Sequence, residues 1–464
     1  MNTRTSKQGT DRRTFLKHAL AAGGAAAFPV IIPSSALGLD GAVAPSNRLV
    51  GIAIGMGGRG SGDLRWLLGE KDVQFVGVCD VRRGSREGAK NMVNETNGNT
   101  DCFATRDFRE LLAKHGKADF ALIATGDRWH TPMSVHCMRA GMDVYCEKPG
   151  TLTIAEGQLL VKTEQEKKRI FQTGAQRVSE TPFRFMKEVA IKEGRLGNIH
   201  TAWSHLGYMS EHPRKNAVMP EEPMPDKEEL DWDLWIGPAP MRPYNRQFVK
   251  PWPVPGWYSQ LDFAASIAQW GSHTILQAQH DMGLADTSPV EYTLPKDIQR
   301  EGFVVRFANG LKLIAIEDGT AVRFAGGGRS AEGLTDIWKG SCGVKYDGDN
   351  GWIACADGYG RPEASSPEIM KGFDEFAKEA RALSQQGLTP SNHLREFLDC
   401  VKSRKPPRTP ATTAHRSMTT NLIMDICLDL KRSLKWDPVK EEFIGDDEAN
   451  KLRARKMREP YAVS

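Results

Sequence analysis

The sequence predicts an α/β protein with an N-terminal Rossmann-type parallel sheet domain and a C-terminal α+β domain that has an open, mostly antiparallel sheet. Two observations lead to this prediction. Up to about residue 178, apolar strand-like runs alternate with helix-like runs, which is typical of a parallel sheet with helices on both faces. From about residue 303, short strand-like runs follow one another directly, which favours antiparallel pairing.

In the N-terminal part, the apolar runs are short and nearly continuous, as in strands that are buried on both faces. The predicted strands span residues 48–54, 73–79, 118–125, 143–146 and 170–173. Helix-like runs lie between them at 61–68, 107–115, 131–140 and 153–168. We expect residues 45–178 to form this domain and residues 179–464 to form the second.

In the C-terminal part, residues 213–257 are rich in proline, tryptophan and acidic residues, which predicts a long irregular loop. A helix is expected at 259–283. Residues 303–308 and 311–316 flank Asn309-Gly310, which predicts a hairpin with a type I′ turn. Further strands are predicted at 320–324, 343–346 and 352–356, and helices at 392–404 and 416–434.

A glycine-rich turn stands between the first predicted strand and the first predicted helix. In a dinucleotide-binding turn, the first glycine, here Gly55, permits the sharp reversal. The second, Gly57, lets the pyrophosphate approach the backbone, and the third, Gly60, lets helix and strand pack closely. The next predicted strand ends at Asp80, an acid placed to accept hydrogen bonds from the adenosine ribose. The sequence therefore predicts a dinucleotide site with the phosphates at a helix N-terminus.

The first 44 residues are predicted to be an export signal and linker rather than part of the fold. Arg12 and Arg13 precede an apolar run rich in alanine and glycine, residues 19–32, which is followed by small residues. This pattern is typical of a twin-arginine signal. We therefore expect the twin-arginine translocation machinery as a partner and a periplasmic or otherwise extracytoplasmic location. A disordered basic N-terminus is the alternative.

Composition argues against several classes of protein. With 464 residues and a net charge of +4, the chain has no basic block or aromatic array that indicates nucleic acid binding. The apolar run near the N-terminus is too short and too interrupted for a stable membrane span. Eight scattered cysteines include no C-x-x-C pair, so we expect no metal site and no disulfide framework.

Several short motifs together resemble those of the Gfo/Idh/MocA oxidoreductases, and in particular of the exported branch of that family. They are the glycine turn, Ala124-Thr125-Gly126-Asp127-Arg128-Trp129-His130, Glu147-Lys148-Pro149, Gln172-Thr173-Gly174-Ala175-Gln176, and residues 233–240, 270–273, 436–438 and 445–450. The resemblance runs from about Arg48 to the C-terminus. It implies a nicotinamide cofactor. Asp80 favours NAD, and NADP is the alternative because Arg82 and Arg83 follow that acid.

The resemblance also implies site residues. Lys148 is expected to donate to the substrate oxygen and His273 to exchange a proton with it, the alternatives being a solvated lysine and a structural histidine. The cofactor is expected to lie against Gly55, Gly57, Gly58, Arg59, Gly60, Asp80, Thr125, His130, Glu147, Lys148 and Gln176. Substrate contacts are expected from His205, Trp235, Gln269 and Asp262. Structural alternatives are a helix cap for His130 and Asp262, a core position for His205 and a loop anchor for Trp235.

Two positions depart from the pattern of the family. The family has aspartates four residues before and three residues after the histidine, whereas this chain has Gln269 and Leu276. A glutamine can hydrogen-bond a sugar hydroxyl but cannot act as a base at neutral pH. Proton removal is then left to His273, to Lys148 or to an acid such as Asp262, unless the chemistry differs from simple alcohol oxidation.

Three functions are consistent with these residues. The leading expectation is an NAD(P)-dependent oxidoreductase that acts on a sugar, glycoside or polyol by hydride transfer with a tightly held cofactor. The second is a redox-neutral glycosidase or lyase that works through a transient 3-keto sugar, and the third is a non-catalytic ligand-binding relative. We expect a homodimer or homotetramer, because members of this family commonly associate through the open face of the antiparallel sheet.

The export signal can be tested directly. Replacing Arg12 and Arg13 together by lysine should retain the protein in the cytoplasm, because the transport receptor reads the paired guanidinium groups. Cell fractionation followed by detection of the chain measures this, with the unaltered protein alongside. Export of the double variant at the ordinary level would show that the segment is not a twin-arginine signal.

Overall fold

The computed structural model describes residues 43–44, 47–206, 216–250, 256–265, 267–317, 342–358, 360–385 and 392–464. The predicted export signal, with Arg12 and Arg13, lies outside these ranges, and so does the predicted strand at 320–324. Export and the two predicted domain boundaries therefore stay predictions.

The first sheet lies within the continuous stretch 47–206 and has six parallel strands in the order β3-β2-β1-β4-β5-β6. Its strands are β1 (Leu49–Ile54), β2 (Val73–Cys79), β3 (Phe103–Thr105), β4 (Phe120–Ile123), β5 (Asp143–Cys146) and β6 (Phe171–Thr173). This is the strand order of a doubly wound dinucleotide-binding domain, and it confirms the predicted parallel sheet. The prediction omitted β3, which is only three residues long and therefore gives a weak periodic signal.

Five helices connect these strands. They are α1 (Gly58–Leu68), α2 (Arg83–Asn97), α3 (Phe108–His115), α4 (His130–Arg139) and α5 (Ile154–Lys167). The prediction missed α2, which is polar along most of its length and buries only three side chains. Side-chain caps fix two of the other helix starts: Asp107 accepts from the Arg109 amide, and Thr153 accepts from the Glu156 amide.

The second sheet has nine strands within the described ranges, in the order β13-β12-β11-β7-β10-β9-β8-β14-β15. The strands are β7 (Ile199–His205), β8 (Glu291–Thr293), β9 (Phe303–Arg306), β10 (Lys312–Ile316), β11 (Gly343–Gly348), β12 (Gly351–Ala356), β13 (Glu363–Ala364), β14 (Leu434–Asp437) and β15 (Glu442–Phe443). β7 is parallel to β10 and antiparallel to β11. The expected mostly antiparallel sheet is confirmed, and association of copies through its open face stays a prediction.

The β9–β10 hairpin is confirmed, but its predicted turn type is wrong. The strands pair Lys312 with Arg306, so the loop comprises residues 308–310 rather than Asn309 and Gly310 alone. Only Gly310 of this loop has a positive φ, +90°, whereas a type I′ turn needs a positive φ at both central residues. The three-residue loop puts Phe307 opposite Leu311, and both side chains are buried in the core.

Within the described ranges, the second part also contains five short α-helices and four of eleven or more residues. They are α6 (Thr181–Phe185), α7 (Trp232–Ile236), α8 (Ala268–Asp281), α9 (Ile298–Glu301), α10 (Pro367–Met370), α11 (Phe373–Gln385), α12 (His393–Ser403), α13 (Ala411–Leu430) and α14 (Asp447–Lys451). α8 begins nine residues later than predicted. The residues directly before it are not helical, because the Ala265 amide donates to the Asp127 side chain instead of to a helix carbonyl. α13 ends at Leu430, before the predicted 434, because Lys431 adopts a left-handed conformation.

Two helices late in the sequence contribute side chains to the cores that lie against the two sheets. Phe397 and Leu398 of α12 pack into the core of the first sheet. α13 contributes Ala414 to the core on the other face of that sheet and Ile423 to the core of the second sheet. Among the helices that the structure describes, none is long and apolar enough to cross a bilayer.

The third glycine of the turn provides a test of the fold. A Cβ on Gly60 would lie 2.0 Å from the Gly55 oxygen, whereas a Cβ on Gly62, in the same helix, meets no atom within 4 Å. Gly60→Ala should lower the free energy of unfolding by about 1–3 kcal/mol, the usual range for overpacking. Gly62→Ala should raise it by about 0.5–1 kcal/mol because alanine favours the helix. Urea unfolding of both variants measures this, and equal stabilities would contradict the predicted packing role.

Candidate active site

A cavity of about 530 Å³ opens at the carboxyl ends of β1, β2, β4 and β5. In an open parallel sheet this edge is where ligands bind. The second domain supplies the opposite wall through α7, α8 and the turn at Trp257 and Tyr258. Of the predicted site residues, the structure brings together at this cavity Gly55, Gly57, Gly58, Arg59, Asp80, Thr125, Glu147, Lys148, Gln176, Trp235 and His273.

The glycine turn has the shape that a pyrophosphate needs. Gly55 has φ +85°, and a Cβ there would lie 2.6 Å from the Thr125 amide nitrogen. At Gly57, by contrast, a Cβ would meet only the Arg82 guanidinium, at 3.6 Å, and at Gly58 it would meet nothing within 4 Å. The space in front of the turn is therefore left open by the protein. Oγ1 of Thr125 is buried there with no hydrogen-bond partner among the described residues.

Asp80 directly follows β2 and faces this turn. One of its oxygens accepts from the Met56 amide at 2.6 Å, and the other accepts from the Arg82 amide at 2.8 Å. Burial raises the pKa of Asp80. Arg83, which the sequence offered as a ligand for a 2′-phosphate, instead forms an ion pair with Glu229 at 2.9 Å. Arg82 lines the cavity, so NADP stays the alternative to NAD.

Glu147 is engaged by a cluster of polar side chains. It accepts from Arg59 Nε at 3.1 Å and from Gln176 Nε2 at 2.6 Å. The same Gln176 nitrogen donates to the Tyr145 hydroxyl at 2.9 Å. Burial and the adjacent Glu147 carboxylate raise the pKa of Asp63. The cluster therefore fixes the backbone that carries Lys148, one residue further along the chain.

Lys148 and His273 line the same cavity. Lys148 Nζ donates to the backbone oxygen of Gln269 at 3.4 Å, which draws the ammonium towards α8. Nδ1 of His273 is buried and has no hydrogen-bond partner among the described residues. Burial, followed by the charge of Lys148, holds the pKa of His273 well below its usual range. The imidazole is therefore neutral at pH 7 and is a poor proton acceptor.

Other predicted residues lie outside the lining of the cavity. His205 is buried, and its Nδ1 accepts from the Cys342 amide at 3.0 Å, in line with the core alternative. Asp262 forms an ion pair with Arg242 and accepts from Asn216, and the N-cap alternative is wrong because α8 is preceded by Ile267. The remaining three are Gly60, His130 and Gln269.

His130 and Gln269 support the cavity from behind. His130 bridges two loops at the sheet edge, with Nδ1 2.6 Å from the Pro149 oxygen and Nε2 3.1 Å from the Thr125 oxygen. Gln269 is buried, and its side-chain amide donates to the carboxylate of Asp127. Both residues orient the walls of the cavity without lining it, and a direct ligand contact for either stays a prediction.

Asp127, Arg128 and Trp129 belong to the motif at the end of β4 but carry no role predicted from the sequence. All three are buried and line the cavity at the end of β4. Arg128 donates to the Trp235 oxygen and stacks on the Trp235 ring at 4.0 Å. A Cβ on Gly126 would lie 2.7 Å from this guanidinium, so the glycine makes room for it. Charged residues directly after a buried parallel strand are the signal that would have identified them.

Comparisons with known proteins agree with this geometry. Residues 50–175 match the oxidoreductase family described as having an NAD-binding Rossmann fold. Residues 213–350 and 363–463 match the C-terminal alpha/beta domain of the same family. The first domain is therefore an NAD-binding domain.

Among individual relatives, the chain is 30% identical over 171 residues to a glycosyl hydrolase family 109 protein of Saccharopolyspora erythraea, covering 34% of this chain and 37% of that protein. It is 28% identical to inositol 2-dehydrogenase of Salmonella typhimurium, covering 36% and 48%. The chain thus spans less than half the length of these relatives. The WlbA dehydrogenase of Bordetella pertussis, solved with NADH and UDP-GlcNAcA, shares the fold at 15% identity, with a TM-score of 0.55 over 84% of this chain and 98% of that one.

The space in front of Gly57 gives a direct test of the cofactor site. Gly57→Val should fold normally, because φ is −67° and the protein leaves room for a side chain, but the valine should occupy the position of the pyrophosphate. We expect NAD affinity to fall by about 100-fold or more, as for loss of a main anchoring contact of about 2.7 kcal/mol. Calorimetric titration with NAD measures the affinity, and thermal melting checks the fold. Unchanged affinity in the folded variant would remove the turn from the site.

Proposed function

We propose that this chain, which belongs to the Gfo/Idh/MocA family of oxidoreductases, transfers hydride between a tightly held NAD and a hydroxyl-bearing carbon of a sugar, glycoside or polyol. One observation carries the proposal: the glycine turn, Lys148 and His273 line a single cavity, although they are separated by about 90 and 125 residues of sequence. Bound NAD supplies the hydride acceptor or donor in such a site.

Lys148 has the geometry of an oxygen-polarising group. Its ammonium is held at the cavity wall by the Gln269 carbonyl, and it follows a glutamate that is itself fixed by Arg59 and Gln176. A positioned ammonium stabilises the negative charge that develops on a substrate oxygen as the C–H bond breaks. His273, neutral because of its surroundings, is suited to orienting a hydroxyl by hydrogen bonding.

Aromatic side chains favour a ring-shaped substrate. Trp235 and Trp257 both line the cavity. The Trp235 ring is covered by Trp232, with ring centroids 4.7 Å apart, and by the Arg128 guanidinium at 4.0 Å, so its faces are not open to a ligand. Trp257 is only half-buried, and an apolar ring face beside hydrogen-bonding groups suits the C–H face of a pyranose or a cyclitol. The inositol dehydrogenases among the relatives support this class of substrate.

A second candidate function is redox-neutral glycoside cleavage, in which a sugar is oxidised, loses its aglycone by elimination and is reduced again on one NAD. The relative named glycosyl hydrolase family 109 protein supports it. Gln269 supports this function as well. It is an amide at a position where the family places an acid, so the residues available for proton transfer differ from those of the family. Both functions begin with the same hydride transfer.

Tight retention of NAD is part of the proposal. Residues 229–231 pair through their backbones with the loop after β2: the Arg83 amide donates to the Glu229 oxygen, and the Asp231 amide donates to the Val81 oxygen. The second domain thereby covers the loop that carries Asp80. A cofactor held in this way suits export of the loaded protein, since free NAD is not available outside the cytoplasm.

The role of Lys148 is testable. Lys148→Ala should keep NAD bound, because the glycine turn holds the pyrophosphate, and should slow hydride transfer by about 100-fold or more. The matched control is Lys162→Ala on α5, whose side chain is 69% exposed. Cofactor content and single-turnover reduction of bound NAD by myo-inositol are measured for both, with aryl glycosides as a second substrate panel. Full activity of Lys148→Ala would remove this lysine from the mechanism.

The panel also separates the candidate functions. Net formation of NADH with a polyol indicates a dehydrogenase. Release of the aryl group without net formation of NADH indicates redox-neutral cleavage. Neither signal with any member of the panel would favour a ligand-binding relative and contradict the proposed function.

A further inference from the structure

Several groups in the cavity or behind its wall are poorly suited to remove a hydroxyl proton. Gln269 is an amide, and the pKa of His273 is far below neutrality because of burial and the Lys148 charge. Glu147 is occupied by Arg59 and Gln176. Oxidation of an alcohol nevertheless requires a proton acceptor within reach of the substrate oxygen.

Asp127 is a carboxylate at this cavity that the sequence motif does not assign. It follows β4, is 2% exposed and lines the cavity together with Lys148 and His273. Its Oδ2 accepts from the Ala265 amide at 3.0 Å and from the side-chain amide of Gln269. Among the described residues, no donor reaches Oδ1. One carboxylate oxygen is thus anchored by the second domain, and the other is left for a ligand.

We propose that Asp127 is the proton acceptor of this site, and that Gln269 is an amide because it must donate to that carboxylate. This inference rests on the hydride transfer proposed above. An aspartate at position 269 would place two carboxyl groups together, and like charges at such a distance cannot both ionise. In this chain the acid stands at the end of β4, and the residue at the motif position on α8 donates a hydrogen bond to it.

The proton-transfer step balances in this arrangement. In the direction of oxidation, the substrate O–H bond breaks and its proton moves to Oδ1 of Asp127, which becomes a neutral carboxyl group. The carbon loses a hydride, with its electron pair, to the oxidised nicotinamide, and a C=O bond forms. Lys148 stabilises the oxygen during the transfer. The carbon is oxidised by two electrons and the nicotinamide is reduced by two.

The surroundings of Asp127 shift its pKa in the direction that suits a proton acceptor. Burial is the strongest influence and raises its pKa, which makes the carboxylate a better proton acceptor. Interactions with His130, the Ala265 amide, Lys148 and Arg128 favour its ionised form. Tyr258 and Cys146 are the other titratable groups that face it.

Asp127→Asn is a sharp test, because an asparagine oxygen can still accept from Ala265 and Gln269 while the charge is lost. We expect NAD content to be unchanged and single-turnover reduction of bound NAD by myo-inositol to fall by about 100-fold or more. The rate of the unaltered protein should rise with pH through the raised pKa, and this dependence should vanish in the variant. A variant rate within about threefold of the original would overturn the proposal.

A readout independent of activity is the melting temperature as a function of pH. Because the folded-state pKa of Asp127 is raised, its protonated form contributes stability that is fully present below the ordinary aspartate pKa of about 3.9 and is lost as the pH rises through the folded value. The unaltered protein should therefore lose melting temperature relative to Asp127→Asn as the pH rises. Parallel curves for the two proteins would overturn the proposal.

Gln269→Leu removes the amide that donates to Asp127 and keeps a side chain of similar size. Because the lost hydrogen bond stabilised the carboxylate, the pH at which the rate is half-maximal should rise by about one unit or more, with NAD content unchanged. An unchanged pH profile would overturn the role assigned to Gln269. If the unaltered protein itself reduces no bound NAD with any polyol or glycoside, the proposed function fails, whereas the melting curves still decide whether Asp127 titrates as inferred.

Discussion

The turn that follows β4 is the constraint on which the rest of the site depends. Its side chains leave the first domain and bond to the second: Arg128 Nε donates to the Trp235 oxygen at 3.0 Å, and Trp129 Nε1 donates to the Leu234 oxygen at 2.9 Å. A buried cation is costly unless its charge is compensated. The Trp235 and Ile236 oxygens, the Trp235 ring and the Asp127 carboxylate compensate Arg128 in part, while its Nη1 has no hydrogen-bond partner among the described residues. Burial lowers the pKa of Arg128 to about 9.

This docking explains why the cavity has walls from both domains. The first sheet supplies the glycine turn and Lys148, and the second domain supplies α8 with His273. α13 reinforces the arrangement, because it packs along α8 at a point where a Cβ on Gly271 would overlap the Asn421 side chain. The glycine that the sequence shows beside His273 therefore serves helix packing.

The acid–base groups of the site act as a set. Lys148, Gln269 and Asp127 are linked through one ammonium–carbonyl contact and one amide–carboxylate contact, and His273 lines the same cavity as Lys148 and Asp127. Within such a set, replacing an acid by an amide at one position is tolerable when an acid stands at a neighbouring position. With the role proposed for Asp127, the departure of the chain from its family's motif leaves an acid at the cavity.

The sequence alone determined the two sheets, the glycine turn, Asp80 and the Glu147-Lys148-Pro149 element, because apolar periodicity and turn chemistry are local properties. It did not determine the boundaries of α8 and α13 or the β9–β10 turn, where a side-chain hydrogen bond, a left-handed residue and strand register override local preference. Only the tertiary structure decided which further residues complete the site. His205 and Asp262 contact other residues, whereas Asp127 accepts a hydrogen bond from Gln269, 142 residues further along the chain. Such pairs depend on how the two domains pack.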